Sequence, residues 1–91
     1  MILEHDVIEQ IEEDPLGKTF TWVGALIRSL SEKDPFTVLH RMWRAGYIEF
    51  VTDDGETIPP WRTAQIFGSK AEHQAVRIVA TYRGSRWVHG R

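Results

Sequence analysis

Apolar residues recur at helical spacing through the first half of the chain and then switch to alternation. Leu3, Val7, Ile8 and Ile11 fall within one arc at about 3.6 residues per turn, with Glu9, Glu12 and Glu13 on the other side. Pro15 disfavours helix at Asp14, so this first helix is predicted to stop near Glu13. A second helix follows Leu16-Gly17-Lys18, with Thr19 or Thr21 as its N-cap and Trp22, Val23, Leu26, Ile27 and Leu30 as its apolar face. Gly24-Ala25 within that face leaves room for another helix. The third helix has the clearest limits. Asp34 is a good N-cap, Pro35 stands where its missing N–H costs nothing, and Gly46 serves as a left-handed C-cap. Phe36, Leu39, Met42 and Trp43 form its predicted buried stripe, leaving Thr37, His40, Arg41 and Arg44 on the outer face.

Strand chemistry begins at Tyr47. Residues 47–52 are rich in aromatic and β-branched side chains, and Asp53-Asp54-Gly55-Glu56 supplies a turn. Residues 57–74 are harder to assign. Pro59-Pro60 cannot lie inside a central strand, and the stretch from Trp61 to Phe67 fits either a short strand or one or two helical turns. Residues 68–72 read as a loop. A second strand is predicted over residues 75–82, where Val76, Ile78, Ala80 and Tyr82 alternate with Arg77, Val79 and Thr81. Arg83-Gly84-Ser85 then turns, and Trp87-Val88 adds a final edge segment. The expected fold is a single α+β domain over residues 1–91, with three helices followed by a two- or three-stranded antiparallel sheet.

The string from Val38 to Glu49 resembles the recognition-helix-to-wing junction of the winged helix-turn-helix superfamily. Leu39, Met42, Gly46, Tyr47 and Ile48 fill its spaced apolar and glycine positions. Thr81, two residues, then Gly84 looks like the end of that family's second wing strand. The resemblance covers residues 3–52 well and 76–88 loosely. It implies double-stranded DNA as partner, with the third helix in the major groove and Thr37, His40, Arg41 and Arg44 as its reading residues. A homodimer fits that reading, because one such helix covers only a half-site. The implied role is a small DNA-binding transcriptional regulator.

Composition narrows the remaining classes. The chain has 91 residues and no cysteine, which excludes disulfide scaffolds and Cys-ligated zinc fingers. An apolar content of 42% is too high for a disordered chain. No apolar run reaches the roughly 20 residues of a membrane span, so no membrane partner is expected. The acidic N-terminus is unlike a signal peptide, and a cytoplasmic location is expected. The net charge of -2 hides an asymmetry. Residues 1–14 carry six acids and no Lys or Arg, while residues 57–91 carry six basic residues and one acid. Such a split is either two faces with different jobs or a solvated acidic helix and a basic tail.

Catalysis finds no framework. His5, His40, His73 and His89 show no close metal-ligand spacing, and no nucleophile motif frames the serines. Phe67-Gly68-Ser69-Lys70 lacks the first glycine of a phosphate loop, and residues 53–56 are too short for a calcium loop. No cofactor, no metal and no enzymatic activity are expected. Two other features bear on binding. Arg83, Arg86, His89 and Arg91, with Trp87 among them, either touch a DNA backbone or form a tail with Trp87 folded back on the sheet. Trp61 after two prolines either closes the small core, the preferred reading, or stands exposed as a protein anchor. The rival function is accordingly a protein-interaction or assembly module without DNA binding, using Phe36, Val38 and Trp61. It is favoured by the slight net negative charge, by Phe36 and Val38 near the expected groove face, and by Trp61 on a Pro-Pro corner, while the segment 53–75 is longer than a typical wing.

Overall fold

The computed structural model describes residues 2–69 and 76–90. Its elements run α1 (Leu3–Glu12), β1 (Lys18–Thr19), α2 (Phe20–Leu30), α3 (Pro35–Arg44), β2 (Ile48–Thr52), α4 (Pro60–Ser69), β3 (Val76–Ala80) and α5 (Tyr82–His89). The fold is α+β: five helices and a three-stranded antiparallel sheet in the spatial order β1-β3-β2. Ile48 pairs with Ala80 and Thr52 with Val76, so the first residues of β2 and the last of β3 share one end of the sheet.

The helix ends follow the cap chemistry of the sequence. Thr19 accepts a hydrogen bond from the Trp22 N–H at 3.2 Å, and Asp34 accepts one from the Phe36 N–H at 3.3 Å with Pro35 next in line. Gly46 takes φ +81°, and the chain leaves α3 through the Tyr47 N–H, which donates to the Met42 carbonyl at 3.0 Å. The core joins Val7, Ile8 and Ile11 of α1, Phe20, Val23 and Ile27 of α2, Val38, Leu39 and Met42 of α3, and Phe50 and Ile78 of the sheet. Phe20 meets Phe50 edge-on at 5.6 Å.

Several expectations are corrected. β1 precedes α2, so the sheet is not confined to the second half of the chain. Two residues are too few to show a period, and β1 is held by its pairing with Ile78 and Arg77. Arg77 adds hydrogen bonds to the Leu16 and Gly17 carbonyls at 2.9 and 2.8 Å. The ambiguous stretch after Pro59 is a ten-residue helix, α4. Pro60 opens it, and Thr63, Ile66 and Phe67, at helical spacing, are its buried side. Gly68 and Ser69 belong to this helix; the rest of the expected loop lies outside the described residues.

The predicted turn at residues 83–85 and the edge segment at Trp87-Val88 are both part of α5. β3 stops at Ala80, Thr81 is an N-cap, and Tyr82 is helical rather than the last strand residue. The apolar arcs also shift slightly. On α2 the buried residues are Phe20, Val23, Gly24 and Ile27, while Trp22 and Leu30 are exposed. Trp22 lies on the far side of the helix under the Lys18 ammonium, 4.8 Å from its ring centroid. On α3, Phe36 and Trp43 are only half-buried and Val38 is fully buried.

A glycine at position 84 costs about 1 kcal/mol of helix propensity relative to alanine. Its reason is contact. A Cβ there would fall well inside van der Waals contact distance of the Tyr47 carbonyl oxygen and lie 3.0 Å from the carbonyl carbon. Both are backbone atoms that cannot swing away. The Gly84→Ala variant is therefore expected to lose about 1–3 kcal/mol, as overpacked sites do. In thermal denaturation its midpoint should fall by at least about 5 °C. An unchanged midpoint would show that α5 does not bear on Tyr47.

Candidate functional site

Successive helical residues rotate by about 100°. On α3 this turns Pro35, Val38, Leu39 and Met42 inward and directs Thr37 and Arg44 straight outward. His40 and Arg41 stand on the two flanks. All four outward residues are exposed. Their settings differ. The Thr37 hydroxyl donates to Asp34 Oδ2 at 3.1 Å, which ties it to the helix cap. Arg41 leans towards α1, where its Nη2 lies 3.5 Å from Glu4 Oε1. His40 leans the other way, with its ring 4.9 Å from Phe67 of α4 and 6.0 Å from Trp43.

Phe67 explains the position of α4. Its ring packs at 5.1 Å from Phe50 and 5.7 Å from Trp43, so α4 lies back against the body beside α3. The Asp53–Glu56 turn does form a hairpin, but with residues 56–58 rather than with β3. The Thr52 N–H donates to the Glu56 carbonyl at 2.9 Å, and the Ile58 N–H to the Phe50 carbonyl at 2.8 Å. Gly55 takes φ +85° in that turn.

The residues of the rival reading separate. Val38 is wholly buried and offers nothing to a partner. Phe36 rests against Phe20 at 5.5 Å. Trp61 does not close the core: it is 65% exposed in the first turn of α4, because the apolar side of that helix is carried by Ile66 and Phe67 instead.

Arg83 and Arg86 sit on α5, at the Ile48–Ala80 end of the sheet and away from the Asp53–Glu56 turn. The Arg83 side chain lies along Gly46, just past the end of α3. Trp87 is neither in a loose tail nor on the sheet. It stacks on Tyr47 at 4.3 Å and 5° between ring planes, and receives the His5 ring edge-on at 4.1 Å. Arg91 lies outside the described residues. Tyr47, Tyr82 and Phe67 are the neighbours that sequence reasoning missed. Reading Thr81 as a cap would have placed Tyr82 and Trp87 on one helix.

The acidic and basic ends of the chain face each other. Glu12 accepts from the Ser85 hydroxyl at 3.0 Å and lies 3.2 Å from His89 Nε2, while Asp14 lies 3.6 Å from Arg77. No group of three or more His, Asp or Glu side chains converges on a metal-sized point among the described residues. Among them, too, no helix is long and apolar enough to cross a membrane. No protein-family model matches the chain, and no significant match was found among curated proteins or solved structures.

Phe67→Ala is expected to cost about 3 kcal/mol or more in urea denaturation, since a largely buried aromatic ring is removed from three ring contacts. Arg41→Ala should cost no more than about 1 kcal/mol, the range of an exposed ion pair. A reversed order would mean that α4 does not dock on α3 as described.

Proposed function

We propose that this chain is a small winged helix-turn-helix protein that binds double-stranded DNA, acting as a transcriptional regulator with α3 in the major groove. The run α1-β1-α2-α3-β2, the antiparallel β1-β3-β2 sheet and the short turn between α2 and α3 support the reading, with α4 standing between β2 and β3. The observation that carries it is the outward arc of α3. Thr37, His40, Arg41 and Arg44 are exposed together there, and no residue of that arc carries a carboxylate.

In this reading Arg44 neutralises a phosphate, or reads guanine with its planar fork. Thr37 and His40 supply hydrogen bonds to base edges or backbone. Arg41 joins them by exchanging Glu4 for a phosphate, a small cost for an exposed pair. The hairpin of a typical wing is replaced by α4, so contacts beside the groove fall to that helix, where Arg62 is exposed. A second copy would supply the second half-site.

One observation favours the rival protein-interaction reading: the exposed indole of Trp61, a residue type enriched among binding anchors.

Fluorescence polarisation with mixed-sequence duplex DNA at low salt tests the proposal. Binding should weaken steeply as salt rises. The double variant Arg41→Ala, Arg44→Ala should bind at least tenfold more weakly. If that variant binds as the parent does, α3 is not the contact surface. Absence of binding at low salt, together with self-association lost in Trp61→Ala, would transfer the assignment to the interaction module.

A further inference from the structure

Arg83 and Arg86 stand on successive turns of α5, three residues apart, which sets their Cβ atoms about 5–6 Å from one another. Each guanidinium lies over a tyrosine ring. Arg83 is 6.0 Å from the centroid of Tyr47, and Arg86 is 5.7 Å from that of Tyr82. Trp87 stacks on the same Tyr47 ring. The N–H donors of a guanidinium lie in its own plane, so one held near a ring face can present them edge-on to a ligand. Such backing fixes the fork at little further entropic cost on binding.

These five residues line an open cleft of about 360 Å³, and none of them is a carboxylate. The volume falls within the range of small-molecule sites. The Tyr47–Trp87 stack gives the cleft a rigid floor. Tyr82 forms its outer wall with a ring 80% exposed, so this side chain adds little to the core. The pairing of sheet residues puts the cleft at the opposite end of β2 from the Asp53–Glu56 turn.

We propose that this cleft binds a small phosphate ester carrying a planar ring, of the nucleoside monophosphate class. The two guanidiniums take the phosphate, which Arg matches with parallel N–H donors. The planar ring stacks on Tyr82, as bases do on exposed aromatic side chains. The site does not depend on α3 binding DNA.

Isothermal titration of the full chain at low salt tests it, with adenosine monophosphate, inorganic phosphate and adenosine as separate probes. Adenosine monophosphate should bind, and each of the other two should bind at least tenfold more weakly. Arg83→Gln should weaken adenosine monophosphate at least tenfold, while Arg83→Lys, which keeps the charge but not the fork, should recover part of the loss. Tyr82→Leu changes an exposed side chain and keeps the fold. It should weaken adenosine monophosphate severalfold and inorganic phosphate less, because the lost stacking surface serves only the nucleotide while the Arg86 backing serves both. No binding of adenosine monophosphate by the parent chain, or unchanged affinity in Arg83→Gln, overturns the assignment. So does an Arg83→Gln variant that loses duplex DNA affinity as much as nucleotide affinity, because the arginines would then serve a nucleic-acid surface. Failure of DNA binding alone leaves the titration result intact.

Discussion

The backbone at Gly46-Tyr47 is where three elements are fastened together. α3 ends there, β2 begins there, and the first turn of α5 rests on it. The Thr81 N–H donates to the Tyr47 carbonyl at 3.0 Å, while the Thr81 hydroxyl donates to the Gly46 carbonyl and accepts from the Gly84 N–H at 3.0 Å. One side chain thus caps α5 and satisfies a carbonyl just beyond α3. Gly84 then permits the contact that a side chain would forbid. The direction of α5 follows from this fastening, and with it the stacking of Trp87 on Tyr47 and the packing of α5 on α1. The outward arc of α3 and the arginine-lined cleft are consequently held in fixed relation, one on each side of the same dipeptide.

The charge asymmetry of the chain is met in part within the fold. The acidic first segment is not merely a solvated surface, since Glu4, Glu12 and Asp14 each meet a partner from a later element. Exposed pairs of this kind add little stability individually. Their effect is on what remains outside. They set Glu4 against α3 and Glu12 against α5, while Arg44 and Arg83, near the α3 terminus, have no carboxylate partner among the described residues.

Much of the helical half was legible in the sequence. Asp34-Pro35, Thr19 and Gly46 act through local hydrogen bonds and local dihedral angles, which need no tertiary context. The helix stop near Glu13 was set by Pro15 in the same way. What escaped was long-range. β1 exists because β3 is there to pair with it, sixty residues later. Tyr82 alternates correctly with Ile78 and Ala80, yet the Thr81 cap outweighs the period. Val38 reads as outward when the buried stripe is centred on Phe36 and Trp43; the true centre lies nearer Pro35 and Met42. Trp61 was misplaced because hydrophobicity alone does not say which side of a short helix faces the core. Of the candidate residues, the four on α3 were legible from spacing. The tyrosines beside Arg83 and Arg86 were not, since they come from β2's approach and from a helix read as a turn.

The pairing of Lys18-Thr19 with Arg77-Ile78 has a consequence for assembly in time. The middle strand of the sheet is the last to be synthesised, so neither edge strand has a neighbour while α1, α2 and α3 are already made. Until residue 78 is made, the core formed by Val7, Ile27 and Leu39 lacks the cover that Ile78 gives it. Loop closure over such a span precedes any reward from the sheet, and chains dominated by distant pairings fold slowly. The order of synthesis therefore leaves the sheet incomplete until its middle strand is made.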